Sequence, residues 1–206
     1  MKFRTKISRY LLVLVMAFSA APAFAEESIG VSPFIDFRSN SNKTKVITSS
    51  FDTSTPKSFN SILGGISAFY KPGKSVMFTF DAFGGGTYFR TRKSDQVYFY
   101  ELSLQGTALG AAYTGSFSKK ILYSLGGGFS AVEARWRNMP LRTSLTVTTP
   151  YIRATIAYKP KQKFGVSLAL KYDLKKIAIK DRDGAHNTLV EFSQFAIQPA
   201  ITLYFK

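Results

Sequence analysis

Few residues of this chain could do chemistry, and the first of them is the only histidine, His186. It lies in the run KDRDGAHNT, close to Asp181, Asp183 and Thr188. A histidine with an acidic partner could activate a hydroxyl group as a nucleophile. However, no serine lies in this run, and an Asp-Gly pair is typical of a hairpin turn. We therefore predict a solvated turn here and a protein that is not an enzyme.

The motifs that could hold a metal or a phosphate are also incomplete. The run DRDG half-matches a calcium loop, but it lacks the spacing and the distal Glu. Glycine triplets at 84–86 and 126–128 lie inside alternating segments, with no helix or GK[ST] after them. The chain has no cysteine, which excludes thiolate catalysis, disulfides and Cys-based metal sites. The sequence therefore predicts no metal and no cofactor.

Five charged residues interrupt stretches that otherwise alternate between bulky apolar and small polar residues. They fall on the small, polar side of that alternation: Asp36, Asp81, Arg153, Lys171 and Asp173. An isolated charge is costly to bury, so charges that share one interior must pair. Their chemistry depends on the elements that position them.

Those elements are β-strands. The stretch KFGVSLALKYDLKK (163–176) alternates with a period of two, which places successive side chains on opposite faces of a sheet. Similar alternation predicts eight strands, near 28–38, 59–71, 75–90, 97–117, 120–136, 143–159, 163–176 and 188–206. Three very short connections (71–75, 118–120, 159–163) alternate with four longer ones (38–58, 90–96, 137–142, 175–188). This order predicts an all-β, eight-stranded, antiparallel up-and-down barrel with a tight-turn end and a loop end.

The bulky apolar face is too large for the inside of such a barrel. An eight-stranded barrel has room only for its own side chains or one small ligand. The opposite face is rich in Ser, Thr, Gly and Ala, and suits a crowded interior. Aromatic residues cluster towards both ends of the predicted strands, as in the girdles of transmembrane barrels. We therefore predict that the apolar face contacts lipid.

The N-terminus predicts export. Lys2, Arg4, Lys6 and Arg9 precede an apolar run of nine residues (10–18) and a small-residue stretch that ends at Ala25. These are the three parts of a signal peptide, and nine residues are well short of the roughly 20 of a membrane-spanning helix. We predict a signal peptide over 1–25, cleavage after Ala25, and one barrel domain over 26–206.

Even strand number, short turns that alternate with longer loops, and a last segment, FSQFAIQPAITLYFK, with an aromatic residue near its end resemble the small eight-stranded outer-membrane β-barrels. That family includes the transmembrane domain of OmpA and OmpX. The resemblance implies a monomeric barrel in the outer membrane of a Gram-negative cell envelope, inserted by the outer-membrane assembly machinery. Lys206 follows Phe205, whereas the signal in the family ends on the aromatic residue.

Within the predicted barrel, the five charged residues should form an ionic cluster in the lumen, with Gln105, Gln194 and Gln198 above or below it. The cluster could be a plug that closes the bore. It could also be a gated path for an ion or small solute, if its pairs exchange partners. Pro33 and Pro199 lie on the first and last strands and each removes a ladder hydrogen bond, which predicts a weak seam.

The excess of basic residues points to an anionic partner. Removal of four basic residues with the signal peptide leaves 24 against 12 acidic ones, a net charge of +12. No nucleic-acid-binding pattern is present. The loop end should meet lipopolysaccharide phosphates, through a basic rim of Arg90, Arg92, Lys93, Arg135, Arg137, Arg142, Lys175 and Lys176. A solvated rim without a specific partner is the alternative.

The expected role is therefore structural or interactive: membrane stabilisation through lipid and lipopolysaccharide contacts, and presentation of surface loops. A narrow solute or ion channel, a lipid A modifying enzyme and a soluble ligand-binding barrel are the competing hypotheses. The fold alone does not choose among them.

Overall fold

The structure, a computed structural model, describes residues 28–42, 45–46, 58–73, 75–93, 96–138, 141–183 and 186–205. Within these ranges every regular element is a β-strand. In the same ranges no helix is long and apolar enough to span a membrane. The predicted signal peptide, residues 1–25 with cleavage after Ala25, lies outside the described residues.

Eight long strands close into one antiparallel barrel, which confirms the predicted fold class. The described strands are β1 (Ser28–Asn42), β2 (Lys45–Val46), β3 (Ser58–Lys71), β4 (Val76–Lys93), β5 (Gln96–Ser116), β6 (Ile121–Asn138), β7 (Leu141–Lys161), β8 (Phe164–Asp173), β9 (Ala178–Asp183), β10 (His186–Glu191) and β11 (Phe195–Phe205). Each barrel strand pairs with the next along the wall, in the order β1-β3-β4-β5-β6-β7-β8-β11, and β11 pairs with β1.

Two of the predicted loops are mostly strand. β4 runs to Lys93 and β5 starts at Gln96, and β6 runs to Asn138 and β7 starts at Leu141. The prediction ended these strands where the apolar alternation ends. Backbone pairing needs no apolar face, so the ladder continues beyond it into polar sequence. The four strands β4 to β7 therefore extend the barrel wall at the loop end.

The region around the histidine is a hairpin rather than a simple loop. β9 and β10 pair with each other, with His186 opposite Asp183. The predicted last strand, 188–206, is therefore two strands, separated by residues 192–194. Thr188, Leu189 and Val190 favour a strand, so the sequence pattern merged them with β11. β1 likewise continues past 38 to Asn42 and pairs there with β10.

The apolar face points outward. On β8, Leu168 and Leu170 are each 44% exposed, whereas Lys171 is 2% exposed and Asp173 is 1% exposed. Every second residue from Phe164 to Leu174 is outward and apolar. Ten residues of strand at a tilt of about 40° rise about 25 Å, the height of the apolar band on membrane barrels. The lumen therefore holds the charges and the outer surface holds the apolar belt.

The seam between the first and last strands is irregular. β1 and β11 pair at Ile29, Gly30, Val31, Phe34 and Phe37, whereas β1 pairs with β3 at fourteen successive positions. The missing rungs include those of Pro33 and Pro199 and of the residues beside them. At two of them lumen side chains bond across the seam: Ser32 Oγ donates to Thr202 Oγ1 (2.9 Å), and Gln198 Nε2 donates to Asp36 Oδ2 (2.7 Å). Side-chain bonds thus link the two strands where the ladder is interrupted.

Candidate functional site in the barrel lumen

The charged side chains of the lumen come from four strands whose alternation turns them inward. β1 supplies Asp36 and Arg38, β4 supplies Asp81, β7 supplies Arg153, and β8 supplies Lys171 and Asp173. Their outward neighbours are apolar, as Ile35, Phe37 and Ile152 show. The period of two fixes which residues meet inside the barrel.

Arg38 is the centre of the first group of charges. Its Nε and Nη2 donate to the two carboxylate oxygens of Asp36, at 2.9 and 3.1 Å. Its Nη1 donates to Asp173 Oδ2 at 2.7 Å. The side chains of Arg38, Asp36 and Asp173 are at most 3% exposed. Arg38 therefore joins the first barrel strand to β8 by bonds to two buried carboxylates.

Lys171 completes this group. Its Nζ lies 3.3 Å from Asp173 Oδ1 and donates to Ser130 Oγ at 2.9 Å. The same ammonium lies 4.6 Å from the ring centroid of Tyr151 and 5.4 Å from that of Phe83. Aromatic faces attract a desolvated cation. Lys171 is therefore held by a carboxylate, a hydroxyl and two rings.

The second group is the pair of Arg153 and Asp81, which lies towards the tight-turn end. Arg153 Nη1 donates to Asp81 Oδ2 at 2.8 Å, and the two side chains are 13% and 3% exposed. Asp81 Oδ1 is buried without a hydrogen-bond partner among the described residues. Across both groups, three cations face three carboxylates, so the charges of these two groups cancel.

The structure thus brings the five predicted lumen residues into two adjoining groups, and the first of them is centred on Arg38, which the prediction missed. Arg38 is the boundary residue between the predicted strand 28–38 and the predicted loop 38–58, in which Ser and Asn follow it. Its position two residues after Asp36, on the same face of an extended strand, was the signal that could have found it.

The three glutamines differ in placement. Gln198 bonds to Asp36, and Gln194 Nε2 donates to the backbone oxygen of Asp173 at 2.9 Å. Gln105 has the outward parity of β5, like the exposed Leu109. It donates to Glu133 Oε2 at 2.7 Å. The expectation that Gln105 covers the lumen cluster is therefore wrong.

An apolar layer closes the lumen on the loop side of the charges. Ile177 and Phe192 flank the β9–β10 hairpin, and Phe192 N donates to Ile177 O at 2.9 Å. Both side chains are about as buried as the core of a soluble protein. They pack against inward residues of β3 and of the extended wall: Leu63, Leu102, Leu104, Val132 and Ala134, with Phe83 and Leu145 at the edge. The lumen is therefore closed by a neutral ionic layer and by an apolar layer above it.

The predicted basic rim is described only in part. Arg90, Arg92, Lys93 and Arg142 lie in strands, but their side chains are outside the described part. Of the other four, three pair with carboxylates. Arg135 Nε lies 2.8 Å from Glu133, Arg137 Nη1 lies 3.8 Å from Glu101, and Lys176 Nζ lies 2.8 Å from Glu191. Lys175 is exposed. Most of the described basic residues of the rim are therefore paired with carboxylates, and the rim is not a uniformly positive surface.

No catalytic or metal geometry emerges from the described side chains. The side chain of His186 lies outside them. Within the described residues, no three His, Asp or Glu side chains are grouped as a metal site. The arrangement that the structure does provide is electrostatic: buried, paired charges that link β1, β4, β7, β8 and β11 across the lumen.

Comparison with known proteins yields likeness in fold alone. No protein-family model matches the chain, and no curated protein matches it by sequence. Solved structures do match. OprG from Pseudomonas aeruginosa aligns with a TM-score of 0.58 at 9% identity, over 87% of this chain and 96% of that one. Neisserial surface protein A aligns with a TM-score of 0.55 at 12% identity, over 85% and 97%.

A third match is Ail of Yersinia pestis, the attachment invasion locus protein, in complex with the heparin analogue sucrose octasulfate. It has a TM-score of 0.53 at 10% identity, over 87% of this chain and 99% of that one. These three matches cover nearly the whole of each solved chain, and the lipid-facing belt described above agrees with them. The chain therefore has the fold of the small eight-stranded outer-membrane β-barrels.

Proposed function

We propose that this protein is exported, processed after Ala25, and inserted by the assembly machinery as a monomeric barrel in a Gram-negative outer membrane. There it stabilises the membrane and presents surface segments that interact with other molecules. The barrel anchors the extended wall of β4 to β7 and the β9–β10 hairpin at the membrane surface. The basic rim of that surface contacts lipopolysaccharide.

The observation that carries this proposal is the closed lumen. Charges of opposite sign cancel in one layer, and Ile177 and Phe192 fill the next with apolar side chains. A continuous water path would require both layers to separate. A barrel whose bore is blocked by its own side chains offers no path across the membrane, and this favours a role at the membrane surface over that of a channel.

The rim supplies the surface chemistry for a phosphate-rich partner. Exposed ion pairs contribute only about 0–1 kcal/mol, so Arg135 or Arg137 can exchange Glu133 or Glu101 for a phosphate at little cost. Guanidinium groups bind phosphates through paired hydrogen bonds. A polysulfated sugar is bound in the Ail structure, so a polyanionic sugar is compatible with this fold.

The lipopolysaccharide contact is tested by ligand-dependent stabilisation. A ligand that binds only the folded protein raises its stability in proportion to the logarithm of ligand concentration. We expect lipopolysaccharide to raise the thermal unfolding midpoint of the detergent-folded barrel. The increase should be smaller in the rim variant Arg137→Gln/Lys175→Gln/Lys176→Gln.

The matched control removes three charges from the opposite end, as Lys120→Gln/Lys161→Gln/Lys163→Gln. These lysines lie at the tight turns and are exposed. The control variant should respond to lipopolysaccharide like the wild type. Equal responses from all three proteins would exclude the rim as the contact. Conductance steps from wild-type protein in a planar bilayer would favour the channel instead.

A further inference from the structure

A cavity of about 320 Å³ lies in the lumen between the ionic layer and the tight-turn end. Arg153 and Gln198 bound it on the side of the ionic layer. Lys71, Lys119 and Lys159, which lie at the ends of strands or in a tight turn, line its other end. Binding pockets for small molecules start at about 300 Å³, so the cavity is large enough for a small ligand.

The charged residues that line this cavity are all positive. Four cationic residues line it, and the described residues of its wall include no Asp or Glu. Two carboxylates lie behind its wall: Asp81 is bonded to Arg153 and Asp36 to Gln198, and both are nearly fully buried. A guanidinium has five N–H donors, so a single bond to Asp81 leaves donors for a second acceptor. Serine and threonine hydroxyls make up most of the remaining polar wall.

The cavity also has an apolar side. The ring of Phe69 meets the ring of Tyr204 edge to face, with centroids 5.7 Å apart, and Lys159 Nζ lies 4.1 Å from the Tyr204 centroid. Phe69 lies where a Cβ on Gly30 would be, and Phe34 lies where a Cβ on Gly65 would be. Glycine at these two positions therefore allows the rings to pack against the wall, which leaves space at the tight-turn end of the lumen.

We propose that this cavity is a binding site for a small organic anion with an apolar body, which enters from the tight-turn end. The anionic group reaches the guanidinium of Arg153 and the neighbouring hydroxyls. The apolar body lies against Phe69 and Tyr204. The ionic and apolar layers above close the other end, so the site is a blind pocket that binds its ligand without passing it across the membrane.

The ligand is a water-borne molecule and not a bilayer lipid, because the cavity lies inside a closed wall. All eight strands of the barrel (β1, β3 to β8 and β11) contribute to its lining. The acyl chains of a bilayer lipid lie on the other side of those strands. A carboxylate, sulfonate or phosphate monoester on a body of one aromatic ring is the class that the volume and charge favour.

The test measures binding to the folded barrel in nanodiscs of phosphatidylcholine, with empty nanodiscs subtracted. The probes are 4-phenylbutyrate, 4-phenylbutanol and 4-phenylbutylamine, which share an apolar body and differ in charge. We expect the anion to bind about tenfold more tightly than the alcohol, and the amine to bind most weakly. Equal binding of the anion and the amine would overturn the proposal, and this comparison needs no variant.

Two alanines of β7 provide a matched pair of variants. Ala157 lines the cavity, whereas Ala154 faces outward and is exposed. Ala157→Phe fills the cavity, and we expect it to weaken 4-phenylbutyrate binding about tenfold or more. Ala154→Phe adds the same ring to the lipid-facing surface and should leave binding unchanged. Unchanged binding in folded Ala157→Phe protein, with heat-modifiable gel migration as the check on folding, would also refute the site.

Discussion

The ionic layer predicts that Arg38→Met destabilises the barrel strongly. The substitution removes a guanidinium that donates to Asp36 at 2.9 and 3.1 Å and to Asp173 at 2.7 Å, and it leaves both carboxylates buried. Removal of one partner from a buried ion pair costs about 3–5 kcal/mol, because the remaining charge stays desolvated. We expect a loss in that range in the free energy of unfolding.

The control is Arg135→Met. Its bond to Glu133 is 2.8 Å long, like those of Arg38, but its side chain is 31% exposed, compared with 3% for Arg38. Exposed pairs contribute about 0–1 kcal/mol. Because the two ion pairs have similar bond lengths but different exposure, a difference in unfolding free energy between the two variants reports the effect of burial. The assay is urea unfolding of the vesicle-folded barrel, followed by fluorescence of the chain's single Trp.

A double variant tests whether the loss of stability comes from uncompensated buried charge. In Arg38→Met/Asp36→Asn one charge of each sign is removed, and Asp173 keeps its contact with Lys171. This double variant should be more stable than Arg38→Met alone. A double variant that is no more stable, or a loss below about 1 kcal/mol for Arg38→Met itself, would refute the argument from buried charge.

Three further predictions concern the wall, the seam and the apolar layer. Leu168→Arg places a cation in the middle of the outward belt and should cost about 2–4 kcal/mol of unfolding free energy in vesicles, whereas the same change at exposed Ser144, beyond the belt, should cost less than half as much. Amide hydrogen exchange should be faster along β1 and β11 near Pro33 and Pro199 than along the β1–β3 ladder, and equal rates would contradict the weak seam. Phe192→Ala should cost about 3–5 kcal/mol and expose the β9–β10 hairpin to protease, because the side chain is 1% exposed; an unchanged cleavage rate would mean that Phe192 does not hold the hairpin.

The strands of the barrel could be predicted because alternation is a local property. In β8, the type of each residue predicts whether its side chain points outward or into the lumen. The structure confirms this prediction for Leu168, Leu170, Lys171 and Asp173. The same period of two predicted that the five charged residues of the cluster point into the lumen. Alternation does not predict where a strand ends when the strand continues beyond the apolar belt, as β4 and β7 do.

Two errors have a common physical origin. Arg38 and Gln105 both lie near the end of the alternating pattern, where the outward residues are no longer apolar and the two faces look alike. Arg38 is inside, in register with Asp36, and Gln105 is outside, in register with Leu109. These parities decide the face only where the strand continues through the residue, and pairing with neighbouring strands determines that continuation. The apolar layer was missed because Ile177 and Phe192 lie in irregular segments, and their burial depends on the extended wall of β4 to β7.

The bonds of Arg38 and Gln198 span 135 and 162 residues of sequence. A chain that has formed all its hairpins but has not joined its two ends lacks these two bonds, although Asp36 and Arg38 on β1, and Lys171 and Asp173 on β8, can still pair within their own strands. Closure of the barrel therefore adds charge-assisted hydrogen bonds to groups that the hydrocarbon cannot satisfy. The residues that obstruct the bore thereby favour the closed cylinder over a sheet with two free edges.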